Sequence, residues 1–161
     1  MAIADTRGRL ELTVPIAKPD SSRSARWADI ALSDHGNWWA VHFTALESAY
    51  GRTPFFEFYA DRFAPLYADF PGGSAVGFDA RIEAVICDIL DIKAPRRDAA
   101  LSERPTALKP CYLPYWQVRA DKLGFIPGLS ILDLIFNLGP DAQIFLYDCA
   151  RSGVFSDIIT P

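Results

Sequence analysis

Cysteine, histidine and methionine are scarce in this chain, with 3 Cys, 2 His and 1 Met among 161 residues. Cys87, Cys111 and Cys149 are odd in number, far apart and in no CxxC arrangement, which argues against a disulfide framework and a zinc knuckle. A reducing cytoplasm is the expected home. The chain does not open on a positively charged stretch followed by an apolar core, and no apolar run approaches the length of a membrane span. Neither secretion nor membrane insertion is expected. Positive charge is also short: the formal net charge is −4 and the pI is near 5.1, so there is no general attraction for nucleic acid. No GxSxG, HExxH, Walker or dinucleotide fingerprint is present, so no common cofactor is indicated. The two histidines lack carboxylate or cysteine partners at ligand spacing, so no metal is expected either.

Apolar residues are plentiful. At 50% hydrophobic and 22% charged, the chain belongs with folded proteins, and its length suits one domain over residues 1–161. A domain of this size buries roughly 70% of its unfolded-chain surface, enough for a core without staples. The most informative stretch is Gly124 to Pro140, GFIPGLSILDLIFNLGP. Ser130, Asp133 and Asn137 are spaced three and four apart, which stacks them on one stripe of a helix that is otherwise apolar all round. Buried polar groups need partners, so the stripe predicts either a structural hydrogen-bond network or the floor of a site.

The remaining pattern predicts a helix-rich α+β domain, in which a small sheet is covered by four or five helices. Leu10 to Ile16 alternates as a strand that Pro15 places at an edge or end, and Trp27 to Leu32 is its expected partner. Asn37 is placed to cap a helix to Tyr50, with Trp38, Val41, Ala45, Leu46 and Ala49 inward and Gly51 as its stop. Thr53 and Pro54 restart a helix with an aromatic face, which Pro65 should kink or end. Ser74 caps a third helix to about Asp91, and Pro114 opens a short helix that Gly124 closes. Ser130 is the expected cap of the final strong helix, with Asp133 in the place of a capping-box acid and Gly139 with Pro140 ending it.

Between these elements, residues 92–110 show no period and carry Lys93, Arg96, Arg97, Arg104 and Lys109 against Asp98 and Glu103. This long basic connection is either a solvated loop or an anion clamp in which Arg96 and Arg97 hold phosphate. Three further groups could carry chemistry. Asp133 and Asn137 can together accept from and donate to sugar hydroxyls, or can serve the helix itself. Tyr115 and Gln117, beside Tyr112 and Trp116, offer flat faces and an amide suited to a sugar ring, or pack under the last helix. His42 is the better placed of the two histidines for proton transfer, or is a hydrogen-bonded core residue.

LTVPI at Leu12 to Ile16, HFTALESAY followed by PFFEFY, and above all YWQV with GFIPGLSILDLIFNLGP resemble the WbqC-like proteins of bacteria. The resemblance runs through nearly the whole chain, and the form of its last segment is most similar to members from Bacteroidetes. Members of that family begin with a further strand and turn, so the resemblance implies a chain that is incomplete at its N-terminus. An open sheet edge left there predicts a homodimer. The family is named for a member associated with O-antigen gene clusters, which implies a role in surface polysaccharide biosynthesis. Two function classes follow. One is a transferase acting on a nucleotide-sugar or acyl donor, with Asp133 and His42 as catalytic groups and Ser130, Asn137, Tyr115, Gln117, Arg96 and Arg97 binding substrate. The other is a noncatalytic binding or assembly protein, or an inactive fragment of the family.

Overall fold

The computed structural model describes residues 1–18, 26–93 and 113–151. Among them the first hairpin forms earlier than the alternation of Leu10 to Ile16 predicts. β1 (Ala2–Asp5) pairs antiparallel with β2 (Gly8–Glu11), placing Ile3 opposite Leu10 and Asp5 opposite Gly8. Gly8, at φ 120°, turns the chain where a side chain would be strained. Ala2, Ile3 and Ala4 are all buried, so β1 has no alternating face. The expected pairing of the LTVPI strand with Trp27–Leu32 contracts to a single bridge, Ile16 to Leu32, flanked by Ala17 N–H on Ala31 O and Ser33 N–H on Pro15 O. Pro15 has no N–H to donate, which stops a ladder from running through the segment. Residues 30–32 also bond Gly73 and Ala75 on their other side.

Six α-helices follow among the described residues, against the four or five expected. α1 (Trp38–Tyr50) buries Trp38, His42, Leu46, Ala49 and Tyr50, while Val41, expected inward, is 58% exposed. Asn37 does not cap it through its side chain. Its backbone is left-handed (φ 46°), linking a preceding 3-10 turn to α1, whereas a capping side chain needs an extended backbone to reach back to the first turn. α2 (Phe56–Tyr67) contains Pro65 and ends two residues beyond it. α3 (Ala75–Ile89) is capped by Ser74 as expected, whose hydroxyl accepts from Gly77 N–H at 3.1 Å. α4 (Ala120–Leu123) is a single turn closed at Gly124.

α5 (Ile131–Leu138) is buried along nearly its whole length, and its Phe136 is the hub of the core. The Phe136 ring lies 5.2 Å from Tyr50, 5.0 Å from Phe56 and 5.8 Å from Phe63, which ties α5 to both α1 and α2. Gly139 ends α5 in a backbone conformation (φ 55°, ψ −124°) closed to other residues, with the Phe55 ring packed where a Cβ would stand. The chain does not stop there. Pro140 leads into α6 (Asp141–Arg151), which buries Ala142 and Cys149. No helix among the described residues is long and apolar enough to cross a membrane.

Candidate functional site

The polar stripe of α5 faces inward. Asp133 is 1% exposed and Asn137 is 3% exposed, and both are met by the irregular segment that precedes α4. Asp133 Oδ2 accepts from the Tyr115 hydroxyl at 2.7 Å and from Gln117 Nε2 at 3.1 Å. Asn137 Oδ1 accepts from Val118 N–H at 2.9 Å, and its Nδ2 donates to the Asp133 carbonyl at 2.7 Å. Gln117, itself 4% exposed, also clamps the loop before α5, donating to Ile126 O at 3.0 Å and accepting from Ile126 N–H at 2.9 Å. Every polar atom of the two amides is thereby used.

Ser130 is only half in this arrangement. Its backbone has the extended geometry of a helix cap, but its hydroxyl caps nothing, and the Asp133 N–H bonds the Ser130 carbonyl instead. Ser130 Oγ has no partner among the described residues. Asp133 is equally not a capping-box acid, because its carboxylate turns to Tyr115 and Gln117 rather than back along the helix.

Two residues that sequence reasoning passed over complete the centre. Tyr50, the last residue of α1, accepts from the buried Ala4 N–H at 3.1 Å, joining β1 to the same place. Arg119 donates to the carbonyls of Ser48 (3.3 Å) and Ala49 (3.0 Å), satisfying the C-terminal end of α1, as cations do there. Tyr50, Gln117, Arg119, Asp133 and Asn137 all line one small cavity of about 10 Å³. Arg119 followed YWQV directly and Tyr50 closed HFTALESAY, but a tyrosine at a helix end and an arginine in a loop carry no signal of convergence.

Burial holds the Asp133 carboxyl above the usual carboxylate range, against the opposing pull of hydrogen bonds from Tyr115, Tyr50, Gln117 and Asn137. Asp133 Oδ1 has no hydrogen-bond partner among the described residues. The hydroxyls of Tyr50 and Tyr115 are pushed well above their ordinary value, first by burial and then by the Asp133 charge beside them. Such a carboxyl can hold or give up a proton nearer neutrality than an exposed one, with two neutral phenols as fixed donors around it.

His42 stands elsewhere. It lies eight residues before Tyr50 on α1, on the order of 12 Å along the helix at 1.5 Å per residue. Its ring sits 5.3 Å from Trp38 and 6.3 Å from Tyr67, and Nε2 donates to Thr13 O at 3.1 Å. Burial lowers its pKa. Trp116 is exposed, away from the network that its neighbours Tyr115 and Gln117 enter. Arg96, Arg97 and Tyr112 lie outside the described residues, as does nearly all of the basic connection. No group of His, Cys, Asp or Glu among the described residues stands close enough together to hold a metal ion.

Comparison with known proteins narrows what this arrangement belongs to. No curated protein and no solved structure matches the chain. One family model does, over residues 1–109, which takes in the β1–β2 hairpin and α1 to α3 and ends before Tyr115, so it spans less of the chain than the resemblance of the motifs implied. Ala4, His42 and Tyr50 fall inside the matched span, and the α5 stripe with its partners falls beyond it. On that match over most of its length, the chain belongs to the WbqC-like protein family.

Proposed function

We propose that the chain serves bacterial surface polysaccharide biosynthesis as a transferase, with Asp133 as its proton-handling group. The polysaccharide role rests on the family, and the chemistry rests on one observation: a fully buried carboxyl keeps one oxygen without a partner among the described residues, in a cavity lined by Tyr50, Gln117, Arg119 and Asn137. In a transfer from a nucleotide-sugar or acyl donor, the Asp133 carboxylate takes the proton of the acceptor hydroxyl. The acceptor oxygen then bonds the donor carbon, and the donor's leaving group departs with the bonding pair. Tyr115 and Gln117 hold Asp133 in place for that step, and Arg96 and Arg97 are the candidates for the donor's phosphate. His42, packed between Trp38 and Tyr67, has no part in it.

The second reading is a noncatalytic assembly protein, and the small size of the cavity favours it. About 10 Å³ admits no sugar unless the loop held by Gln117 moves. Thermal-shift screening against nucleotide sugars and acyl thioesters separates the two, since a ligand at 100 times its dissociation constant adds about 2.7 kcal/mol of stability. A donor that raises the Tm of wild type and of Asp133→Asn, with product formed by wild type alone, supports the transferase. If no donor of either class raises the Tm, the transferase reading fails.

A further inference from the structure

The cavity beside Asp133 brings together two buried atoms that want opposite things. Asp133 Oδ1 is an acceptor and Arg119 Nε–H is a donor, and neither has a partner among the described residues. Both residues line the same cavity, together with Tyr50, whose hydroxyl accepts from Ala4 N–H. From this juxtaposition we infer that the cavity is a binding site for one ordered water, which donates to Asp133 Oδ1 and accepts from Arg119 Nε.

Size and charge choose the occupant. About 10 Å³ is the room one water needs, and buried waters make about three hydrogen bonds to groups otherwise left unsatisfied. A monatomic cation would face the Arg119 guanidinium, and a monatomic anion would face the Asp133 carboxyl. Only a small neutral dipole answers both. Leaving a guanidinium N–H and a carboxylate oxygen dry costs more than immobilising one water, so the bridged state is favoured. The water also explains how Arg119 and Asp133 line one cavity without an ion pair between them: it separates them while Arg119 spends its Nη2 on the end of α1.

This site stands whether or not Asp133 handles a substrate proton, and its test is independent of any donor. A high-resolution crystal structure of the full chain should show a single peak within hydrogen-bond distance of Asp133 Oδ1 and Arg119 Nε. Nuclear Overhauser transfer from water to the Gln117 side-chain amide should show the same molecule in solution. Arg119→Met, which removes the Nε–H donor, should lose both signals. A dry cavity, a direct Arg119–Asp133 ion pair closing it, or anomalous scattering from a monatomic ion there would overturn the inference. Because wild type alone decides between these outcomes, a variant that fails to fold leaves the test intact.

Discussion

Replacing Asp133 by Asn removes a charge from a place that resists charge while keeping the shape and an acceptor oxygen for Tyr115 and Gln117. Because burial raises the folded-state pKa, both folded and unfolded chains carry the proton below the unfolded value near pH 3.9, and the charge then costs nothing. As pH rises from about 4 through the folded-state pKa, the unfolded chain releases the proton first. The folded state binds more protons in that window, so wild-type stability falls with pH at up to about 1.4 kcal/mol per unit from this group. Asp133→Asn has no such term. The stability of Asn variant minus wild type should therefore grow across the window and level off above it, leaving the variant equal or more stable near pH 7. Asp133→Ala does the opposite, because it strips the acceptor from a Gln117 N–H and the Tyr115 hydroxyl, at about 1–3 kcal/mol each. Urea unfolding of all three chains between pH 4 and 7 measures these differences, and other groups cancel in the subtraction. An Asn variant less stable than wild type at pH 7 by more than about 1 kcal/mol would mean that the hydrogen bonds outweigh burial, and the reasoning would fail.

Other outcomes follow from the same geometry. Tyr50→Phe should cost about 1–3 kcal/mol, since Ala4 N–H is buried and loses its acceptor among the described residues; a loss below about 0.5 kcal/mol in urea unfolding would show that Ala4 finds another. His42 is buried and its pKa lowered, so the unfolded chain takes up a proton first as pH falls below about 6.5, and stability declines from there down to the folded-state pKa. Titration of its ring proton by NMR should give a midpoint below 6.5, and a midpoint at or above that value contradicts the burial described. In Gly139→Ala, the new Cβ would meet Phe55 ring atoms at 2.4–2.5 Å in a backbone conformation closed to alanine. A loss of about 1–3 kcal/mol is expected, at roughly 2–4 °C of Tm per kcal/mol, and an unchanged melting curve would refute the packing.

Strong local signals in the sequence correspond to what folds. The 3.6-residue recurrence of large apolar groups marks α1, α2, α3 and α5, Ser74 caps where a cap is written, and the inward stripe of Asp133 and Asn137 follows from spacing alone. Three features were out of reach for physical reasons. β1 is buried on both faces and short, so it shows no alternation, while the clearer alternation at Leu10 to Ile16 is interrupted at Pro15. Gly139 and Pro140 read as a stop, yet proline before Asp141 suits a helix start equally well, and α6 begins there. The partners of Asp133 come from segments 16 residues before it and further, and nothing in the local pattern of Tyr50, Tyr115, Gln117 or Arg119 says that they meet. Ser130 shows the limit of a cap motif: the backbone adopts the geometry while the hydroxyl caps nothing.

The polar centre depends on the buried Asp133 carboxyl, bonded by Tyr115 and Gln117, where loss of water outweighs the donors around it. Site-resolved titration of the Asp133 side-chain carboxyl by carbon-13 NMR measures that balance directly. The predicted midpoint lies above the ordinary aspartate value near 3.9. A midpoint at or below that value in the native chain would mean that Asp133 is solvated or ion-paired, and the polar centre described here would be wrong.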